Sequence, residues 1–342
     1  MSVQIAVVGA GLVGSRHIES IGACSSASLA CIVEPSSNGY ALAAELSVPH
    51  FDTLDQMIKT SAPDGVILAT PNELHVEMAL ACLQAGIPTL VEKPLATDLS
   101  GAQQIVDASK DSGVPVLTGH HRRHNPLIAK AKNIIQDGQL GSITTVQATT
   151  WFHKHDDYFN VEWRTKPGAG PIYINLIHDI DLLRYLCGDI ASVHAVESNR
   201  IRGYEVEDTA VILLTFQGGA LGTISVSDTT VAPWSWELTA KENPVYPATD
   251  QICYQIGGTA ASLSLPNLSL WTHPHERSWW SPISETKIPV DSQDPLVRQV
   301  EHLVQVIRKE AQPVVTALDG YKNQAVLEAI KQSAVDGKTI HL

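Results

Sequence analysis

Apolar positions fall into short unbroken runs in the first third of the chain and into alternating runs further on. The run Val3 to Val8 reads as a strand buried on both faces, as parallel strands are. GVILA (65–69), TLVE (89–92) and VPVLT (114–118) repeat that signature, separated by helical patterns near 72–85 and 98–112. This alternation predicts a doubly wound parallel sheet over residues 1–122. At Pro126, which suits a helix start, the rhythm changes. One helix, a strand near 143–152 and a helix over 171–187 lead into a mostly strand-forming region. There DTAVILLTF and ALGTISVSD flank Gln217-Gly218-Gly219, a hairpin signal. Shorter strands near 252–272 and helices near 294–310 and 319–336 complete an α+β second domain over residues 123–342. The fold class is α/β.

Composition narrows the class. At 342 residues the chain exceeds one ordinary core, and 44% apolar against 17% charged residues suffices to bury two. A formal net charge of −13 argues against a nucleic-acid partner, because phosphate contacts need clustered cations. Arg122-Arg123 in HHRRHNP is too short a cluster to track a nucleic-acid backbone. The 5 cysteines include no CxxC pair, which suits reduced thiols in a cytoplasm. No signal peptide and no membrane span are expected, since no apolar run is long enough. The 14 histidines, HHRRH and FHKHDD included, lack metal-ligand spacing, so no metal is expected.

Chemistry enters at the ends of the predicted strands. Gly9, Gly11 and Gly14 form GxGxxG where the first strand meets the first helix. The first glycine permits a tight turn, the second lets backbone approach a pyrophosphate, and the third lets helix and strand pack closely. The helix N-terminus offers free N–H groups to phosphate. Glu34 ends the next strand, where a carboxylate accepts hydrogen bonds from both ribose hydroxyls of NAD and repels a 2′-phosphate. Ser36 and Ser37 can still hydrogen-bond a phosphate, so NADP stays open beside NAD. TPNELH (70–75) and EKP (92–94) fall at two further strand ends, which in this fold face ligands. Lys93 is therefore read as functional. In the 171–187 helix Leu176, Ile180 and Leu183 follow core spacing, whereas Asn175, His178 and Asp179 share another face. Asp181 stands either as a hydrogen-bond acceptor that fixes the His178 tautomer or as a structural partner.

GAGLVG, TPNELH, EKP, RRHNP and GAGPIYINLIHDIDLLRYL occur in an order that resembles the glucose-fructose oxidoreductase / inositol dehydrogenase / rhizopine-catabolism (Gfo/Idh/MocA) family. The resemblance covers essentially the whole chain. It implies a nicotinamide-dependent oxidoreductase acting on a sugar, cyclitol or related hydroxy compound. It also implies an N-terminal Rossmann domain and a second domain with an open, mostly antiparallel mixed sheet, used to form homodimers or homotetramers. Lys93 and His178 match positions the family uses in catalysis. Where the family commonly places an Asp, this chain has Ile174, so Asn175 or Asp179 becomes the substitute to test. Expected cofactor contacts are Gly9, Gly11, Leu12, Val13, Gly14, Glu34, Thr70, Pro71, Asn72, His75, Glu92, Lys93 and Arg164. Expected substrate contacts are Lys93, Arg122, Trp151, His153, Tyr158, Trp163, Asn175 and His178. Trp234 and Trp236 are further candidates for the pocket, and Trp279-Trp280 for a subunit contact.

The expected reaction removes hydride from a carbon while its hydroxyl loses a proton. His178 is the expected base, and the Lys93 ammonium stabilises the developing alkoxide. The two come from different domains, so a cleft between domains is the expected active site. Three other readings stand beside this one: an NAD-dependent glycoside hydrolase on the same fold, a catalytically silent sugar or NAD sensor, and a reductase of cyclic ketones or dihydrodiols.

Overall fold

Continuous apolar strands need cover on both faces, and the chain supplies it from two distant stretches of sequence. The computed structural model describes residues 2–342. They divide into two compact units, one running to Asn125 and including Gln293–Gln324, the other comprising Pro126–Ser292 and Ala325–Leu342.

In unit one, strands β1 (Val3–Val8), β2 (Ala27–Val33), β3 (His50–Phe51), β4 (Gly65–Leu68), β5 (Thr89–Val91) and β6 (Val116–Thr118) form a parallel sheet in the order β3-β2-β1-β4-β5-β6. One face packs Ala6, Val8, Val66 and Leu68 against Ala79, Leu83 and Ile105 of the intervening helices. The opposite face packs Val3, Ile5 and Val7 against Ile18 and Ile21 of the helix Leu12–Ala23, and against Val300, Leu303 and Val304. Those last three lie on the helix Pro295–Ile307, capped by Asp294, whose carboxylate accepts from Leu296 N at 2.8 Å. The sequence boundary placed this helix in the second domain. Its apolar stripe covers β1 in unit one instead, because the first 122 residues alone leave that face short of cover.

In unit two, β7 (Ile143–Trp151), β8 (Ile190–Ser198), β9 (Thr209–Phe216), β10 (Leu221–Ser227), β11 (Tyr254–Gly258), β12 (Ala261–Leu265), β13 (Ser269–Thr272), β14 (Ser284–Lys287) and β15 (Ile340–His341) form one open sheet. Its order is β14-β13-β12-β11-β7-β10-β9-β8-β15. Within this sheet only the β7–β10 pair is parallel among the described strands; the others run antiparallel, including the expected β9–β10 hairpin. Ala210, Ile212, Leu214 and Phe216 of β9 are buried with Ile180, Leu183 and Leu186 of the helix Ile177–Cys187. The alternate positions Val211 and Leu213 are about half exposed. Strands β3, β14 and β15 went unpredicted: two span only two residues, and Ser284–Lys287 is polar and exposed throughout.

The expected 171–187 helix has two parts. Ile172–Leu176 winds as a π-helical turn and Ile177–Cys187 as α-helix, ended at Gly188 with φ 97°. Among the described residues no helix is long and apolar enough to cross a membrane.

Because Leu303 is fully buried against β1, Leu303→Ala is expected to destabilise unit one by about 2–5 kcal/mol. Urea unfolding monitored with bound NADH as the probe reads this; an unchanged midpoint refutes the assignment of the helix to that core.

Candidate functional site

The end of β1 shows why its turn needs glycines. A Cβ at Gly14 would lie 1.8 Å from the Gly9 carbonyl oxygen, and one at Gly9, whose φ is +88°, would lie 2.5 Å from Ala69 O. A Cβ at Gly11 would meet nothing within 4 Å, so that side of the turn is open. Gly11 is also the N-cap of the following helix and makes no side-chain cap, which leaves the first N–H groups for an anion. Leu12 is 87% exposed, an unusual place for leucine unless a ligand covers it. Thr70, at the end of β4, has a buried hydroxyl with no hydrogen-bond partner among the described residues. Glu34 Oε2 accepts from Ala10 N at 2.9 Å and Oε1 from Ser36 N at 3.1 Å, which aims the carboxylate along the turn. Burial would raise its pKa, but these two N–H groups, the Ser36 hydroxyl and His50 outweigh it and hold the carboxyl below the usual range. An open glycine turn, an orphan hydroxyl and an anchored carboxylate fit a dinucleotide.

EKP follows β5. Glu92 is buried and accepts from Lys93 N at 3.2 Å, and its Oε1 lies 2.7 Å from His17 Nε2. A Cβ at Gly119 would lie 2.7 Å from Glu92 Oε1, so β6 must pass with a glycine there. Burial pushes Glu92 up, but the His17 hydrogen bond with the charges of His17 and Lys93 overcomes it, leaving the pKa below normal. Burial and Arg122 push His121 down to about 3, so its ring stays neutral. Glu92 therefore braces the backbone that presents Lys93 and is itself enclosed, rather than offered to a cofactor as the sequence suggested. His75 is corrected in the same way. It is fully buried, and its Nδ1 and Nε2 lie 2.8 Å from Pro94 O and 3.0 Å from Thr70 O. Both ring nitrogens tie two strand-end loops together and neither remains for a ligand. Pro71 and Asn72 are exposed beside them. Arg122 is buried in the turn His121–His124, and Arg123 donates to Val314 O and Asp319 Oδ1 at 3.0 and 3.2 Å.

In unit two, Gly170 (φ +86°) precedes the π-turn. A Cβ there would lie 2.4 Å from Glu207 Oε1, the oxygen that accepts from Ile172 N at 2.9 Å. Glu207 thus caps the turn from outside, and its other oxygen receives Lys331 Nζ at 2.7 Å. Along this segment Ile174 and His178 are half-buried. Asn175 is buried; its Nδ2 reaches Glu237 Oε1 at 3.5 Å, and its Oδ1 has no hydrogen-bond partner among the described residues. Asp179 does not share an accessible face with them. It is fully buried and accepts the Tyr254 hydroxyl, whose ring stacks on Trp236 at 5.5 Å. Asp181 is buried too. Asp179 is thus a core anchor for the helix that carries His178, and Trp236 is core rather than pocket.

The stretch after β7 divides by depth. His153 is exposed, with Nδ1 3.3 Å from Thr229 O, while Trp151 Nε1 donates to Ser225 Oγ at 2.8 Å and packs edge-on to Trp234. Tyr158 is half-buried beneath the Arg164 guanidinium, 4.1 Å from its ring centroid, and Arg164 Nη1 donates to Tyr158 O at 2.8 Å. Trp163 is largely exposed. Between these, Lys154 turns inward and is buried; the run HKHDDY (153–158) is expected from sequence to line a substrate pocket, with no role there for the lysine itself. Among the described residues no three metal-ligating side chains gather.

Replacing Glu92 by Gln is expected to cost about 1–3 kcal/mol at neutral pH by leaving His17 with a weaker partner. A depressed carboxyl pKa stabilises the fold above the ordinary value of 4.5 and loses that contribution as pH falls below it. The gap between wild-type and Glu92→Gln in urea titrations should therefore shrink below that pH. A constant gap contradicts the brace.

Comparison with known proteins bears on the whole chain. Residues 3–120 match the oxidoreductase family with NAD-binding Rossmann fold, and residues 128–264 match the GFO/IDH/MocA C-terminal domain. Inositol 2-dehydrogenase 2 of Saccharopolyspora erythraea is 26% identical over 347 residues, covering 99% of this chain and 95% of that one. The scyllo-inositol 2-dehydrogenase (NAD(+)) of Bacillus subtilis is 26% identical over 361 residues, with 99% and 96% covered. The WlbA dehydrogenase of Bordetella pertussis, solved with NADH and UDP-GlcNAcA, superposes with a TM-score of 0.80 at 26% identity, covering 100% of this chain and 99% of that one. The chain therefore belongs to the Gfo/Idh/MocA family of oxidoreductases, with an NAD-binding Rossmann domain as its first unit.

Proposed function

We propose that this protein is an NAD-dependent dehydrogenase of a cyclitol or sugar-like polyol, with His178 as the base and Lys93 as the stabiliser of the substrate oxygen. The observation that carries the reading is the retention of both groups on rigid supports. Glu92 braces the strand end that presents Lys93, and Asp179 with Tyr254 anchors the helix that presents His178. A sensor needs neither a base nor an alkoxide stabiliser. The inositol dehydrogenases similar along nearly the whole chain favour a ring polyol as substrate.

When bound, NAD+ would supply a hydride acceptor for the oxidation of the substrate carbon. His178 accepts the hydroxyl proton as that hydride departs. The Lys93 ammonium would offset the negative charge that develops on a substrate oxygen. Gly9, Gly11 and Gly14 with the following helix N-terminus would hold the pyrophosphate, and Glu34 would take the ribose hydroxyls, which favours NAD over NADP. The five free thiols, four of them buried, support work in a reducing cytoplasm. Val196, Val211, Leu213 and Leu221 leave an apolar stripe on the outer face of the unit-two sheet, and a second copy of the chain is its proposed cover.

Turnover tests the assignment. With a panel of cyclitols, polyols, aldoses, hydroxy acids and glycosides, NAD+ reduction is expected for a ring polyol. His178→Ala should lower kcat by about a hundred- to ten-thousand-fold, and Lys93→Ala by about a hundred- to a thousand-fold, both with NADH affinity retained. Wild-type turnover in either variant removes that residue from the mechanism. Release of free sugar from a glycoside, without net NAD+ reduction, replaces the dehydrogenase with the hydrolase reading.

A further inference from the structure

Ile174 stands where the family resemblance calls for a carboxylate, yet carboxylate chemistry is present nearby in unit two. Glu237 Oε1 takes Asn175 Nδ2 at 3.5 Å, one helical turn before His178. The same Glu237 acts electrostatically on Lys154. Lys154 has a side chain only 7% exposed, and its Nζ makes no hydrogen bond among the described residues. Asp228 Oδ2 is a counter-charge at 3.9 Å, too far for a hydrogen bond. The Tyr158 ring lies 4.9 Å from Nζ and offers only a π-face.

The protein holds this arrangement firmly. Lys154 N donates to Asp228 O at 2.9 Å, and Arg202 Nη2 donates to both Lys154 O and Asp228 O at 2.7 Å. Arg202 Nε also donates to Asp228 Oδ1 at 2.9 Å. Asp228 Oδ1 is thereby committed to Arg202, while Oδ2 stands off from Lys154 Nζ at 3.9 Å. A buried ammonium left with three N–H donors is costly unless oxygens meet them. Burial pulls its pKa down to about 8 against the upward pull of Asp228 and Glu237. Asn175 Oδ1 is the complementary orphan, a buried acceptor. One donor set and one acceptor, with a carboxylate that receives Asn175 and acts electrostatically on Lys154, match adjacent hydroxyls that each donate and accept.

We propose that Lys154, Glu237 and Asn175 form a subsite for a vicinal diol of an uncharged polyol, in which Glu237 supplies the carboxylate that position 174 lacks. This rests on His178 marking the substrate side of unit two. A carboxylate or phosphate brought to Lys154 would meet Glu237 and Asp228, so the charge favours neutral hydroxyls over an acidic sugar.

Calorimetry on the full-length chain loaded with NADH tests binding apart from turnover. The probes are myo-inositol, D-glucose and D-glucuronate. At least one neutral polyol should bind, and D-glucuronate should bind more weakly than D-glucose. Lys154→Met and Glu237→Gln should each weaken the polyol by roughly ten- to a hundredfold, the value of a hydrogen bond to a charged group, with NADH affinity unchanged. Asn175→Ala reads the same subsite from the helix side, in case Lys154→Met does not fold. The proposal is overturned if neither polyol binds the wild-type chain, if the folded variants bind as the wild type does, or if D-glucuronate binds more tightly than D-glucose. Polyol binding that depends on Lys154 without NAD+ reduction would leave the subsite standing and remove the dehydrogenase reading instead.

Discussion

A parallel sheet buried on both faces has only the ends of its strands to offer a ligand, and unit one is organised by that constraint. The glycine turn, TPNELH, EKP and HHRRHNP follow β1, β4, β5 and β6, all at carboxyl ends. Steric limits then tune each end. The 1.8 Å approach of a Gly14 Cβ to Gly9 O means that the first helix can sit against its strand only with glycine there. That close approach is what brings the helix N-terminus and the Glu34 carboxylate to one turn. Cover for the second face comes from a helix more than 170 residues after the last strand of the sheet, so the cofactor domain is complete only when the chain returns.

Unit two solves a different problem, which is how to bury charge without losing it. Glu207 is enclosed but caps the π-turn and pairs with Lys331; burial raises its pKa despite that partner. Asp228 is consumed by Arg202. Asp179 spends an oxygen on Tyr254. These groups are satisfied within the protein and serve as scaffold. Lys154 and the Asn175 oxygen are not so satisfied, and the contrast separates residues that hold the site from residues that meet a substrate.

Much of this was legible in sequence because it follows from local rules. Apolar runs gave the parallel strands, GxGxxG with Glu34 gave the nucleotide turn, and the Gln217-Gly218-Gly219 spacing gave the β9–β10 hairpin. Long-range packing was hidden. Nothing local to Pro295–Ile307 says which core its stripe will cover. The i, i+3, i+4 pattern of Asn175, His178 and Asp179 suggested a shared face, but a π-turn through Asn175 and the Tyr254 partner of Asp179 divide them. His75 and Glu92 sit in motifs whose neighbours face ligands, so only their hydrogen-bond partners reveal them as braces. Lys154 reads as one more polar residue in HKHDD, because its burial rests on Arg202 and Asp228, which are distant in sequence.

The central claim is that hydride leaves a carbinol carbon of a ring polyol as His178 takes the hydroxyl proton. Deuterium transfer tests it most directly. A cyclitol deuterated on its ring carbons, incubated with NAD+ and the wild-type protein, should yield monodeuterated NADH with a primary isotope effect on kcat, and His178→Ala should form that product far more slowly. NADH that carries no deuterium, or equal rates of transfer in both proteins, would contradict the account.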